Sequence, residues 1–366
     1  MNLEEILTQS IKEKHFQIDY LPVGDKSKGG DAITLRFGNL EGPRHEQIVM
    51  VIDGGTKESG TAIVSNIRNN YGTDSVDVVV ATHPDSDHVS GLTEVLNDLA
   101  VSELWMHQPW EQSGDLQAAL NGTIPSDTRV NYVQASLGQA ENLAKIAREK
   151  GIPISSPYAG ASAFEGMIQI LGPSEIYYKE LVPQFRNGPE SVGQTLANLF
   201  TNAVDFVKDE VNKVRETMDV ETLKDGNEHF SAENNTSVIM LLTVDDCKIL
   251  FTGDADADAL TLAADYAEDT LGIAMSDLHL LHVPHHGSKQ NVGPTILNRI
   301  KASKAQISAP VESTKHPHQS VINALIRRGT TVYSTQGKQI LHHTNGAGRD
   351  GWSPTSELAF VEEFED

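Results

Sequence analysis

Residues 81–92 read ATHPDSDHVSGL and follow directly on the β-rich run VDVVV at 76–80. His83, Asp85, Asp87 and His88 fall within the six positions 83–88. Four ionisable side chains crowded at a strand end are costly to desolvate unless something binds them. Imidazole with carboxylate suits Zn²⁺, Mn²⁺ or Fe²⁺. Residues 83, 85 and 87 alternate along an extended turn and can point one way, while His88 adds a donor to a neighbouring position. Such a cluster holds two ions more readily than one. The competing reading, a solvated acidic turn with two unrelated histidines, does not account for the tight spacing or the preceding strand.

Outward from this stretch, strand-like and helix-like segments alternate. FQIDYLPVG, DAITLRF and QIVMVIDGG are short, β-rich and bounded by Gly or Asp. A helix is expected from about 60 to 71, and VSGLTEVLNDL continues the motif as another. VSELWMHQPW, GIPIS and GMIQILGPSE read as strands, NNTSVIMLLTV and KILFTGDAD as a hairpin turning at Asp245–Asp246. LHLLHV, AQISAP, TVYST and QILHH complete the strands. Residues 190–230 show no strand pattern and are expected to form a helical insertion bordering the cleft. Hairpins and helices occur in both halves, which predicts two mixed β-sheets packed face to face with helices outside, an α/β αββα sandwich forming a single domain over 1–366 with its core at about 16–345.

Polar clusters at 53, 83–88, 254, 285–286 and 316–318 all follow strands, so they are expected to meet at one edge of the sandwich. Asp254 in LFTGDAD could bridge two metals, although Gly-Asp after a strand is also a common turn. His285 and His286 in HVPHHGS are adjacent and can face opposite ways, one to a metal and one to a substrate. His316 and His318 flank Pro317 in KHPH, a loop that the proline stiffens.

Composition sets further bounds. The chain has 366 residues, 39% of them apolar, one cysteine and a formal net charge of −23. Cys247 alone permits neither an internal disulfide nor a thiolate-rich zinc site. No apolar run approaches the ~20 residues that span a bilayer. The stretch MNLEEILTQSIKEKH lacks the pattern of a signal peptide and reads as a short amphipathic helix at 1–14. A cytoplasmic location without membrane association is therefore expected. An acidic surface of this size disfavours nucleic acid, which is bound through Lys and Arg.

Taken in order, VGDKSKGGDAI, VIDGG, THPDSDHVSGL, NNTSVIMLL, FTGD, HVPHHGS, KHPH and VYSTQGKQI resemble the metallo-β-lactamase superfamily, and most closely its competence-protein (ComEC-like) branch. The resemblance covers about residues 16–345. It implies an αββα sandwich with a dinuclear site for Zn²⁺ or Mn²⁺ at one edge. Carried over by position, His83 and Asp85 look like the first ligand pair, Asp85 standing where many members have histidine. Asp87 and His88 resemble ligands of the second metal, with Asp254 as the bridge and His285 as a further ligand, though His285 and His286 could exchange roles. Asp53 matches a residue that braces the metal loop by hydrogen bonds. LGPSE departs from the superfamily pattern, offering Ser174 and Glu175 where a histidine is usual. His107 could substitute for it, but its neighbours Trp105 and Trp110 equally suit a packed or substrate-facing loop.

The expected activity is metal-dependent hydrolysis by a metal-bridged hydroxide. Asp87 would orient it, His286 would face the substrate, and His318 would donate a proton to the leaving oxygen, with His316 beside it. Asn234 and Asn235 could hold the hydroxide side of the site or simply close a hairpin. A phosphodiesterase or nuclease is the first expectation, since the channel-linked relatives are thought to degrade one DNA strand. Hydrolysis of a smaller ester (phosphocholine ester, lactone or thioester) is the second, and a defence-associated regulatory protein with a structural metal site is the third. A protein partner or second copy could bind the tail SELAFVEEFED or the first helix, or these could pack on the sheet.

Overall fold

The computed structural model describes residues 14–24, 29–112, 128–185, 213–225, 231–344 and 347–365. Six strands come first: β1 (His15–Tyr20), β2 (Ala32–Gly38), β3 (Gln47–Gly54), β4 (Ser75–Ala81), β5 (Ala100–Met106) and β6 (Ile154–Ser155). Next come β7 (Ser162–Ala163), β8 (Ile168–Gly172), β9 (Lys213–Arg215), β10 (Ile239–Val244), β11 (Cys247–Phe251), β12 (Leu278–His282), β13 (Ala302–Ile307) and β14 (Thr331–Ser334). The chain closes with β15 (Ile340–His343) and β16 (Glu363–Glu365). One sheet runs β15-β1-β2-β3-β4-β5-β6, and the other β14-β13-β12-β11-β10-β8-β7. Each carries three antiparallel pairings followed by three parallel ones, so the two halves repeat one pattern.

The central strands are apolar almost throughout because both of their faces are covered. In β3, Met50 and Ile52 point between the sheets and meet Ile18, Val78, Met240 and Phe251, while Val49 and Val51 point outward to helices. Helices Lys57–Asn66, Leu92–Asp98 and Thr128–Glu149 cover the first sheet through Ile63, Leu96 and Leu143. Helices Ala257–Asp265, Pro294–Arg299 and Gln319–Arg327 cover the second through Leu260, Leu297 and Val321. Full burial of such a side chain stabilises by about 2 kcal/mol, so three apolar interfaces hold the four layers together. The expected αββα sandwich is the fold observed, with the β10–β11 hairpin turning at Asp245–Asp246 as read.

Residues 1–13 of the expected helix at 1–14 lie outside the described residues, as do 190–212 and 226–230 of the expected helical insertion. Its described part, 213–225, is not helical. β9 instead pairs antiparallel with β16, so the C-terminal tail packs on its own chain. Glu216 ties this arm to the helix Gln319–Arg327 through Asn323 Nδ2 (2.9 Å) and Arg327 (2.8 Å). Among the described residues no helix is long and apolar enough to cross a membrane.

Candidate metal centre

Side chains from both halves converge beyond the C-terminal ends of β3, β4, β11 and β12, where crevices open in α/β sheets. In the first half, β4 runs directly into Thr82 and His83, after which Ser86–Val89 turns into a short helix. Asp53 adopts φ 53°, which folds its carboxylate under this loop. Its Oδ1 accepts from the Thr82 N–H (2.8 Å), and its Oδ2 from the Thr82 hydroxyl (2.6 Å) and from His88 Nδ1–H (2.8 Å). Since the Thr82 hydroxyl proton goes to Asp53, Thr82 Oγ1 accepts from His83 Nδ1–H at 3.0 Å. Both imidazoles thus have Nδ1 committed, and both Nε2 atoms are buried without a partner.

Those two Nε2 atoms face Asp254, at 3.8 Å from His83 and 3.4 Å from His88. In the second half, β12 runs into Pro284–Gly287, where His285 and His286 take left-handed φ of 47° and 57°. This turn directs His285 Nε2 at Asp254 Oδ2 and His286 Nε2 at Asp254 Oδ1, each at 3.8 Å. His285 Nδ1–H donates to Asn291 Oδ1 (2.8 Å), whose amide donates in turn to the Asp254 carbonyl oxygen (3.0 Å). Asp87, His88 and His286 form one tight group of ligand atoms, and Asp53, His83 and His88 another.

The donor set fits a divalent cation. Two atoms bound tetrahedrally at ~2.1 Å from one ion stand about 3.4 Å apart, the scale of the separations around Asp254. They are too long for hydrogen bonds, yet His83 Nε2, His88 Nε2 and Asp254 Oδ1 are buried without any partner. The local charge points the same way. Burial would lower the His88 pKa, but Asp254 and Asp53 hold it well above the ordinary value. Burial would raise Asp254, but His88, His285 and His286 hold it well below. Burial would raise Asp87, but His88, His286 and His83 together hold it below the ordinary value. The carboxylates thus demand positive charge at the position a cation would take.

The remaining expected site residues divide. Asp53 accepts its three hydrogen bonds from Thr82 and His88 of the motif loop. Asp85 sits half-buried at the start of the short helix, where its carbonyl accepts from the His88 and Val89 N–H groups, and it belongs to none of the tight groups. His286, expected on the substrate side, is the more buried of the pair, whereas the His285 side chain is 32% exposed. Asn235 exchanges hydrogen bonds with Asp256, the cap of helix Ala257–Asp265, and so closes a turn. The Asn234 amide lies 3.5 Å from His285 Nδ1.

His316, not His318, stands over the cluster, its ring 5.8 Å from that of His285 and 6.4 Å from that of His286. Burial, then the two neighbouring imidazoles, pushes His316 down to about 4. His318 turns away to cap the helix Gln319–Arg327, its Nδ1 accepting from Ser320, with Phe364 edge-on at 6.1 Å. Ser174 caps a helix as well, through the Tyr177 N–H (3.1 Å). His107 does not take a ligand's place. Its ring packs between Tyr158 (4.7 Å) and Tyr178 (4.5 Å), and burial pushes it down to about 3.

Asp31 and its partner His282 escaped the sequence reading, as did Thr82 and Asn291. Asp31, just before β2, is 1% exposed and groups with His88 and Asp254. Its Oδ1 accepts from His282 Nε2–H (3.0 Å), at the end of β12. The glycine-rich VGDKSKGGDAI was the only available signal of Asp31.

Four layers and a His/Asp cluster at the strand ends define a protein of the metallo-β-lactamase fold. Residues 44–133, which contain the motif, match the model of the metallo-beta-lactamase superfamily. No curated protein matches the chain. Among solved structures it is similar to a putative metallo-beta-lactamase from Thermotoga maritima, at 12% identity and TM-score 0.33, over 66% of this chain and 79% of that one. It is also similar to the E377D mutant of CmlA beta-hydroxylase, at 10% identity and TM-score 0.42, and to a long form RNase Z from yeast, at 12% and 0.38. Each of these two alignments covers 90% of this chain but only 54% and 41% of the respective partner.

Proposed function

We propose that this chain is a metal-dependent hydrolase, and that its substrate is a phosphodiester. The observation that carries the reading is the pair of buried, partnerless Nε2 atoms of His83 and His88, 3.8 and 3.4 Å from Asp254 Oδ2 where the two halves meet, with Asp254 Oδ1 buried and partnerless as well. His83, Asp87, His88, Asp254, His285 and His286 would hold the ions, Zn²⁺ or Mn²⁺. Bound divalent cations supply Lewis acidity toward an ester oxygen and acidify water at neutral pH.

The chain's own residues prepare that chemistry. Asp53 and Thr82 fix the tautomers of His88 and His83, and Asn291 fixes that of His285, so that each lone pair faces inward. His316, neutral at pH 7, offers the leaving group a hydrogen bond rather than a charge. This role replaces the one expected of His318.

The net charge of −23 favours a small ester or nucleotide over a long polynucleotide, despite the resemblance of the motif order to the competence-protein branch. Protein stripped of metal and reloaded with Mn²⁺ or Zn²⁺ should cleave bis(p-nitrophenyl) phosphate, and His83→Ala should abolish turnover. Turnover that survives this substitution unchanged would reject the site. Single-stranded DNA, a cyclic dinucleotide and a phosphocholine ester, assayed in parallel, separate the nuclease reading from the small-ester one.

A further inference from the structure

Hydrolysis as proposed above does not account for Asp31. Its Oδ1 is held by His282, but its Oδ2 is buried without a partner, 3.8 Å from His88 Nδ1. That Nδ1–H is already given to Asp53, so His88 cannot satisfy the free oxygen. Ligand atoms of Asp31, His88 and Asp254 lie within 4.8 Å of one another, and Asp254 also has a buried oxygen, Oδ1, without a partner. Two buried carboxylates so close repel strongly where water is excluded. A shared cation satisfies both.

We propose that Asp31 is a direct ligand of a cation held together with Asp254, so that the loop before β2 is a further strand end that builds the centre. The inference rests on the metal-dependent reading. The loop is shaped for the approach: a Cβ on Gly30, at φ 79°, would lie 1.6 Å from the Asp87 carbonyl oxygen. Only glycine lets this segment lie against the motif and bring the next residue inside. His282 orients the carboxylate through the oxygen that does not face the cluster, as ligating carboxylates are commonly held. A brace between the two halves would explain the Asp31–His282 bond but would leave Oδ2 unexplained.

Asp31→Asn is nearly isosteric and keeps a hydrogen bond to His282, so it separates ligation from bracing. The full chain would be stripped of metal, reloaded with Zn²⁺ or Mn²⁺, and its ions per chain counted by mass spectrometry beside His282→Gln. Asp31→Asn should hold one ion fewer than wild type at any metal concentration, while His282→Gln, which keeps both carboxylates, should weaken metal affinity by about 10–100-fold and regain the full count at saturating metal. An unchanged count and affinity in Asp31→Asn would overturn the proposal while leaving the metal-dependent reading intact. A wild-type chain that binds no ion would overturn both.

Discussion

The two halves of the sandwich share one sheet pattern but use their carboxylates differently. In the first half, the residue with positive φ at the end of the hairpin strand is Asp53 (φ 53°), and its carboxylate takes three hydrogen bonds beneath the motif. In the second, the corresponding residue is Gly253 (φ 51°), and the carboxylate comes one position later, on Asp254. A Cβ at Gly253 would lie 2.9 Å from both Ser237 Oγ and Thr82 Oγ1, so a side chain is excluded there. The one-residue offset turns the carboxylate from beneath the motif to face the four imidazoles. The imidazoles differ likewise. His88 rides on a right-handed helical turn, whereas His285 and His286 sit in left-handed backbone that costs of order 1 kcal/mol each. That strain is offset where both rings reach one carboxylate.

The contrast can be broken by exchanging losses between the halves. Asp254→Ala removes the group that four imidazoles face, so metal loading should collapse. Hydrolysis should then fall about a thousandfold, the several kcal/mol that Lewis-acid assistance supplies. Asp53→Asn keeps the hydrogen bond from Thr82 N–H but cannot accept from all three donors. Metal affinity should drop by about 10–100-fold, with activity restored at high metal concentration. Titrations monitored by metal binding and turnover distinguish the two. Equal, irreversible losses would mean that Asp53 is no mere brace.

The halves also differ in how the C-terminal segment is fastened to them. On the first, Arg349 clasps Asp19 with two hydrogen bonds, at 2.6 and 2.7 Å, beside Tyr71. On the second, buried Glu216 accepts from Thr222, Asn323 and Arg327. Burial would raise the Glu216 pKa, but these hydrogen bonds lower it below the ordinary 4.5. The unfolded state therefore binds more protons, and the stabilisation is fully present above pH 4.5 and lost as pH falls through the folded value. Glu216→Gln should cost about 2 kcal/mol at pH 7 and progressively less in acid. Thermal melts at pH 7 and below pH 4.5 check the convergence, and a gap that widens in acid would contradict this assignment.

Much of this was legible where chemistry is local. HPDSDH carries its donors within six residues, and the β10–β11 hairpin turns at two acidic residues, so the cluster and its second-half partner could be read without coordinates. Asp31 could not. Its role depends on His282, 251 positions away, and only the stacking of the sheets brings them together. His107 ends a strand as a ligand would, but Tyr158 and Tyr178 enclose it through chain reversals that no local pattern encodes. Within KHPH the two histidines were indistinguishable by composition. What separates them is where the helix begins.

That boundary gives the smallest predicted effect and the narrowest test of how the second half supplies its donors. His318 accepts from the Ser320 N–H at 3.3 Å and lies next to the Ser320 hydroxyl, which places it at the N-cap. A lost cap costs about 1 kcal/mol. His318→Ala should therefore lower the melting temperature, leave turnover within about twofold of wild type, and be rescued in stability by His318→Asn, whose oxygen can accept the same bond. His316, whose ring faces His285 and His286, should show the opposite pattern on substitution by alanine: folding retained and turnover reduced. If His318→Ala instead lowered kcat with no change in stability, the ring would have to turn from its cap toward the cluster. The loop after β13 would then supply two imidazoles where the loop after β5, with His107 packed between Tyr158 and Tyr178, supplies none.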